Sequence, residues 1–516
     1  MHRLLQLDID VTLLEAESGP GGTWYRNRYP GARFDSESWS YTYSFDDDIV
    51  QEWEWSEHFA AQPETLRYVN YVVDKFDLRP HMQFDCVLER AVYDQDRRSW
   101  TIEMADGRVL TCRFLLPAIG LLSAPTMPAI EGIEDFEGPS FHTFHWPDEG
   151  VELAGKRVAV IGTGATGVQV IAEIADKVGE LSVFQRRPNW CAPLHNAPIT
   201  PEEQAHIKAT SDEIFERCSL SPGGFIHRPI RAKMAEVSEA ERLEFWEELY
   251  ASPGFGVWLG NYRDILTDEA SNAAFSAFIA DKIRSRVDDP VVAEKLIPKD
   301  HGFGTRRVPM ETRYYEAYNR DNVELVDLNE TPIVSVTATG IRTSDCHREF
   351  DLIVYATGFD AVTGAYDRIE FVGVDGQTLA DKWQGSPINY LGVGAHGFPN
   401  LIMVNGPTAG SATTNFPRGI EASVDWTTDF VRAIRERGAT RVEANAEAEQ
   451  DWADHIRQMY DLLLIEQSPN WMTGYNSNVE GHEQGGRYVI YAGGLPRYRN
   501  ELEEIAAEGY PGFTFD

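Results

Sequence analysis

A chain of 516 residues exceeds what one hydrophobic core usually supports, so more than one domain is expected. Its 42% hydrophobic and 11% aromatic content excludes a disordered protein. The 46 basic and 82 acidic side chains leave a formal charge of -36, which repels phosphate backbones and anionic lipid; nucleic acid and membrane partners are excluded, and an anionic cofactor must be held by locally placed arginines.

In chain order, MHRLLQL has helical character, and IDVTLLE over 9–15 reads as a buried parallel strand ending in an acid. The opening lacks the uninterrupted apolar core of a signal peptide. The longest apolar stretch, Phe114 to Pro125, is broken by Pro117 and Gly120 and is too short to span a bilayer. Five scattered cysteines (Cys86, Cys112, Cys191, Cys218, Cys346) show no CxxC spacing and predict reduced thiols in a cytoplasmic protein. A Gly- and Tyr-rich segment covers 19–45, and a helix is expected near 64–76. Strands and hairpins follow over 84–117, with a turn at Asp106-Gly107. Residues 122–150 read as a linker, and a new βαβ unit begins at Lys156. Helical spacing of Glu, Ala, Lys and Arg predicts a helical insertion over 201–300. A strand at 323–326, a hairpin near 333–354 and helices near 418–436 and 444–465 complete the pattern.

The strand Arg157 to Ile161 runs directly into Gly162-Thr163-Gly164-Ala165-Thr166-Gly167 and then into a helix that carries Gln169. In this GxGxxG the first glycine permits the tight turn and the second lets a pyrophosphate approach the backbone. The third lets helix and strand pack, so phosphate charge meets the helix N-terminus. An NAD enzyme would end the next strand in an acid for the ribose hydroxyls. Here it ends in Gln185-Arg186-Arg187, whose guanidinium groups suit a 2′-phosphate and favour NADPH.

Val11 to Glu15 reads as the second strand of another such unit, with Glu15 placed to hold ribose hydroxyls. Downstream, GGTWYRNRYPGARFD, with Gly21, Gly22, Thr23, Trp24, Tyr29, Pro30, Gly31 and Asp35, matches [A/G]GxWxxxx[F/Y]P[G/M]xxxD. FEGPSFHTFHWP, with Phe136, Gly138, His142, Trp146 and Pro147, matches FxGxxxHxxxW[P/D]. Both are signatures of the Baeyer-Villiger monooxygenases, which the chain resembles from about Ile9 onward. The family carries a first GxGxxG well upstream of the acid, whereas fourteen residues precede Glu15 here. Met1 is therefore read as a misassigned or truncated start, a flavin-poor protein being the other reading.

The resemblance implies an α/β fold with two Rossmann-like dinucleotide-binding domains, for FAD and NADP, and a helical insertion. The expected divisions are 1–121 for the first part of the FAD domain, with its first βα unit incomplete, and 122–149 for the linker. The NADP domain would take 150–200 and 303–356, separated by the insertion at 201–302. Residues 357–516 would complete the FAD domain and add a substrate and lid region. The implied activity is NADPH-dependent oxygen insertion into a ketone through a flavin peroxide, giving an ester or lactone. In FGTRR, Arg307 falls on the active-site arginine, Asp35 would orient it, and Arg306 would lie against the 2′-phosphate beside Arg186 and Arg187. Thr23, Trp24, Tyr41, Val87 and Phe416 would line the flavin. Ser411-Ala412-Thr413-Thr414 falls on a substrate-lining bulge, and Trp471 on a mobile loop that covers the nicotinamide. After Trp471 and Met472 the chain runs TGYNSNVEGHEQGGR, longer and more acidic than the family's GANxPGK. His142 would couple domains. No metal is expected, the partners are a small-molecule ketone and dioxygen, and the chain is read as a monomer or weak homo-oligomer. An N- or S-oxidising flavin monooxygenase and a flavin-deficient NADPH-binding remnant are the competing readings.

Overall fold

A computed structural model describes residues 1–410, 412–467 and 469–516. At its centre lies a five-stranded, wholly parallel sheet. Its order is Val323–Asp327, Glu180–Gln185, Arg157–Ile161, Leu352–Tyr355 and Ser140–His142. Val158, Ala159, Val160, Val183 and Val354 are fully buried, as strands covered on both faces require. The helix Ala165–Ile174 packs on one face through Val168, Ile171 and Ile174. The other face meets a three-stranded antiparallel meander, Ile333–Thr337, Gly340–Thr343 and His347–Glu349, through Val336, Ile341 and Phe350.

Two sequence expectations change here. Leu352–Tyr355 is not the last arm of a hairpin but an inner strand of the parallel sheet; its four consecutive apolar residues are buried on both faces and do not alternate. Ser140–His142, inside the expected linker, forms that sheet's edge strand.

The N-terminal strand is confined to Leu13–Leu14 and is half-buried, whereas a buried strand over 9–15 was expected. It pairs with Met82–Gln83 on one side only, which leaves its faces incompletely covered. A mixed sheet follows, Glu370–Val372, Leu88–Asp94, Ser99–Met104 and Val109–Cys112, packed on Trp100, Phe371 and Trp383. Its last turn has Gly107 at φ 84°, as Asp106-Gly107 predicts.

The insertion is helical, including Pro201–Ala209, Ser211–Ser219, Glu239–Ala251, Glu269–Arg286 and Pro290–Leu296. Its helices start where the sequence caps them. Thr200 with Glu203 and Ser238 with Glu241 form capping boxes, and Asp268 accepts from the Ser271 N–H. Trp246, Phe275 and Ile279 join the insertion to the core beneath the parallel sheet. C-terminal helices Phe416–Glu436, Ala446–Tyr460 and Leu495–Ala507 enclose a second core around Trp426, Phe430, Trp452 and Tyr498. No helix among the described residues is long and apolar enough to cross a membrane.

Gly167 shows how tightly the helix seats on its strand: a Cβ there would lie 2.2 Å from the Gly162 carbonyl oxygen. Gly167→Val is expected to destabilise the fold by about 3 kcal/mol through overpacking. Thermal unfolding of the variant would show a lowered midpoint; an unchanged midpoint would contradict this packing.

Candidate active site

The glycines of GTGATG serve different ends. Gly162 adopts φ 109°, and a Cβ there would lie 2.4 Å from the Ala356 carbonyl oxygen, so the fold itself demands glycine. At Gly164, the residue before the helix Ala165–Ile174, a Cβ would meet nothing within 4 Å. Packing therefore does not explain that glycine, but a close-approaching phosphate does. The helix N-terminus has no side-chain cap, which leaves its N–H groups available to an anion. Thr163 Oγ1 donates to the Arg187 carbonyl at 3.0 Å and ties the loop to the arginine pair. Ala165 and Thr166 form the first turn behind it.

Arg186 and Arg187 leave the end of Glu180–Gln185 exposed to solvent. Arg306, with a side chain only 14% exposed, reaches Asp300 at 3.2 Å, and Arg187 lies 4.0 Å from the same carboxylate. Asp300 thus brings Arg187 and Arg306 together at one corner, while the Arg186 side chain turns to Ser477. The sequence did not single out Asp300, because an isolated acid after a helix carries no pattern.

Beside this corner the segment of the first signature crosses the nucleotide helix. A Cβ on Gly31, at φ 82°, would lie 2.7 Å from the Gln169 carbonyl oxygen, so this glycine allows backbone to touch helix. Tyr29 OH donates to Gln169 Oε1 at 2.9 Å, and Gln169 Nε2 donates to the Arg33 carbonyl at 3.1 Å. Gln169 therefore holds the signature segment. Burial pushes the Tyr29 hydroxyl up to about 12, keeping it a neutral donor.

This crossing delivers Asp35 to Arg307. Arg307 Nη2 donates to Asp35 Oδ2 at 2.8 Å; the carboxylate is 4% exposed and the guanidinium 37%. Burial raises the Asp35 pKa above the ordinary carboxylate value, against the opposing attraction of Arg307. The Arg307 guanidinium stands 5.7 Å from the Phe255 ring centroid, and its carbonyl accepts from Asn189 Nδ2 at 3.2 Å. Phe255 comes from the insertion, and Gly304, at φ 79°, makes room for Trp258 of the same insertion, 2.6 Å from where its Cβ would be. Sequence reasoning missed Phe255 and Trp258, since neither sits in a motif.

The expected flavin-side residues gather on the N-terminal segment. Trp24 Nε1 donates to Tyr41 OH at 2.9 Å, and Phe34 stacks on Tyr41 at 4.3 Å, with Thr23 exposed beside them. Glu15 accepts through Oε1 from the Glu17 N–H at 3.0 Å, and its carbonyl accepts from Cys86 N–H at 2.9 Å. Val87 follows directly and is 49% exposed. Phe416 opens the helix that docks on this segment, where Asn415 Nδ2 donates to the Ser40 carbonyl at 3.0 Å. Of the expected bulge, Ala412 and Thr414 are buried and Thr413 Oγ1 reaches the Tyr491 carbonyl at 3.4 Å; Ser411 lies outside the described residues. Trp471 is half-buried against the C-terminal core, in a turn capped by Asn470.

The second signature sits at the crossing back from the parallel sheet. Gly138 leaves room for the Phe136 ring, 2.6 Å from where its Cβ would lie. Trp146 packs edge-on to Phe141 at 5.1 Å. His142 Nδ1 accepts from the Phe144 N–H at 3.1 Å, and its ring meets Phe359 edge-on at 5.5 Å. Burial lowers its pKa to about 4, so the ring is neutral at neutral pH and packs as an uncharged group.

Unmet hydrogen-bonding capacity collects around the ion pair. Asp35 Oδ1, Glu37 Oε2, Arg307 Nε and Asn189 Oδ1 are buried and have no hydrogen-bond partner among the described residues. Native proteins rarely leave such groups unpaired. Together with the open cradle at Gly164, they fit a site completed by bound dinucleotides and substrate.

No family model matches the chain. It is 45% identical over 514 residues to the 2-oxo-Delta(3)-4,5,5-trimethylcyclopentenylacetyl-CoA monooxygenase of Pseudomonas putida, covering 98% of this chain and 94% of that protein. A Baeyer-Villiger monooxygenase of Pseudooceanicola batsensis is 38% identical over 520 residues, with 100% of this chain and 94% of the relative covered. The crystal structure of OTEMO in complex with FAD and NADP matches with a TM-score of 0.96 at 44% identity, covering 100% of this chain and 96% of that one.

His142 generates a pH prediction. Its folded pKa lies near 4, below the unfolded value near 6.5. The unfolded chain therefore binds more protons between those values, and stability contributed by the neutral ring is lost as pH falls through the window. The loss amounts to about 3 kcal/mol. His142→Gln is expected to flatten the fall of the thermal midpoint between pH 6.5 and 4 relative to wild type; identical pH profiles would refute it.

Proposed function

The chain belongs to the Baeyer-Villiger monooxygenases, and we propose that it inserts one atom of dioxygen into a ketone to give an ester or lactone, with NADPH and FAD as cofactors. Ketone, dioxygen, NADPH and a proton yield ester, NADP+ and water. The observation that carries this reading is the Asp35–Arg307 ion pair at 2.8 Å, set between two nucleotide-binding segments and surrounded by unpaired buried polar atoms.

We assign the division of labour as follows. Residues 1–121 and 357–516 hold FAD, through Glu15, Thr23, Trp24, Tyr41, Val87 and Phe416. Residues 150–200 and 303–356 hold NADPH, through the glycine loop, Gln169, Arg186, Arg187 and Arg306. When bound, FAD passes electrons from NADPH to dioxygen and supplies the activated oxygen. Arg307 supplies fixed positive charge and N–H donors where negative charge develops on oxygen during attack on the carbonyl. Asp35 holds the guanidinium through Nη2, and Nε is buried with no hydrogen-bond partner among the described residues. Phe255 sets apolar surface beside Arg307, which lowers the local polarity and strengthens the interaction of its charge with the reacting oxygen. We assign Trp471, half-buried against the C-terminal core, and the loop after it to the NADPH side of the site.

Incubating the FAD-supplemented protein with NADPH, 18O-labelled dioxygen and a panel of cyclic and linear ketones should yield labelled ester. Recovery of hydrogen peroxide alone from every ketone, or oxidation confined to amines and sulfides, would overturn the reading. Arg307→Ala is expected to lower ester formation by at least about a thousandfold, the scale of losing a preorganised charge-stabilising group, while NADPH still bleaches the flavin absorbance. Arg186→Ala should raise the KM for NADPH about tenfold and leave that for NADH nearly unchanged, as loss of one phosphate-directed charged hydrogen bond implies.

A further inference from the structure

The segment Tyr475 to Arg487 is the part of the loop that departs from the family's short pattern. Arg186 Nη1 donates to Ser477 Oγ at 2.6 Å, and the Arg187 guanidinium stands 5.7 Å from the Tyr475 ring centroid. Tyr475 is also among the neighbours that favour the charge on Arg306, whose burial works against it. Two residues of the loop therefore face the three arginines assigned to the 2′-phosphate.

The rest of the segment is fastened to the crossing strand behind them. Asn476 Nδ2 donates to the Phe359 carbonyl at 2.8 Å, and Asn478 Nδ2 to the Thr357 carbonyl at 3.3 Å. His482 Nδ1 meets Asp360 Oδ1 at 3.1 Å, and Arg487 Nη1 donates to His482 Nε2 at 2.6 Å. The loop's acids, Glu480 and Glu483, are exposed to solvent. Tyrosine, serine and asparagines face the protein. This arrangement suits an anion: neutral donors and an aromatic ring near the arginines add contacts without bringing a like charge to a dianion.

We propose that Tyr475 and Ser477 form the lid of the 2′-phosphate pocket, so that this loop reads the phosphate that separates NADPH from NADH. The Ser477 hydroxyl, which now accepts from Arg186, becomes a donor to a phosphate oxygen when Arg186 turns to the same group. The Tyr475 ring, 5.7 Å from the Arg187 guanidinium, covers part of it on one side. Asp300, 3.2 Å from Arg306 and 4.0 Å from Arg187, holds those guanidinium groups in place until the phosphate takes them. The proposal rests on the assignment of Arg186, Arg187 and Arg306 to the 2′-phosphate, and its test separates the two.

The FAD-loaded protein is titrated calorimetrically with 2′,5′-ADP, which carries the 2′-phosphate without nicotinamide, and with 5′-ADP as the control lacking it. Wild type should prefer 2′,5′-ADP. Combined Tyr475→Leu and Ser477→Ala should weaken 2′,5′-ADP about tenfold, the scale of one cation–π contact plus one charged hydrogen bond, and leave 5′-ADP unchanged. Tyr475→Phe alone, which keeps the ring, should bind as wild type. Hydrogen exchange across 475–487 should slow on adding 2′,5′-ADP. Unchanged 2′,5′-ADP affinity in the double variant, or equal loss for both nucleotides, overturns the lid. Arg186→Ala is measured in parallel. If it abolishes the preference while the loop variants do not, the arginine assignment stands and the lid fails; if it leaves the preference intact, the arginine assignment itself fails.

Discussion

The buried contact between Asp35 and Arg307 constrains more of this molecule than any other single interaction, because its partners lie on segments separated by the whole nucleotide unit and the helical insertion. A carboxylate 4% exposed is costly to ionise without a partner, and removing one member of such a pair leaves the other charge stranded. Both segments must therefore arrive together. Gly31 lets the first slide against the nucleotide helix, and Gln169 pins it there from both sides. Gly304 lets the second bend beneath Trp258. The ion pair leaves Asp35 Oδ1 and Arg307 Nε without a hydrogen-bond partner among the described residues, so it has capacity beyond that of a brace.

The same contrast between local necessity and spare capacity runs through the glycines. Gly162 and Gly167 are required by the fold, since a Cβ at either would strike a backbone carbonyl. Gly164 is not, because its surroundings are open. A consensus of three glycines thus divides into one that shapes a turn, one that seats the helix on its strand, and one that keeps a space for something larger than a methyl group.

What could be read from the sequence was chemistry carried by short, contiguous patterns: the strand, glycine loop and helix at 157–174, the arginines ending the next strand, and the two family signatures. Those features depend on neighbours in the chain. Phe255 and Trp258 escaped because their partners lie far along the chain, and nothing local distinguishes a phenylalanine over an arginine from one in a helical core; Asp300 escaped because a single acid beside a nearby arginine forms no pattern. Leu352–Tyr355 was placed in a hairpin because β-rich sequence surrounds it, although four unbroken apolar residues favour an inner parallel strand. The strand expected over 9–15 shortened to Leu13–Leu14 for a related reason. Apolar, β-branched residues predict extension, but pairing decides how much of it becomes sheet, and here pairing is one-sided.

Net charge frames the last issue, since a protein at -36 must attract two anionic dinucleotides. At physiological ionic strength, screening acts over about 8 Å, so exposed carboxylates elsewhere on the surface count for little against groups in contact with a phosphate. The corner at Arg187 and Arg306, with Arg186 beside it in the chain, is local in this sense: the acid that pairs with the first two is Asp300. An acidic loop lying over that corner looks self-defeating in the sequence. In the structure its carboxylates point outward, while Tyr475 and Ser477 face the arginines. Which residues of the loop turn inward, and not its total charge, determines what it does to an incoming phosphate.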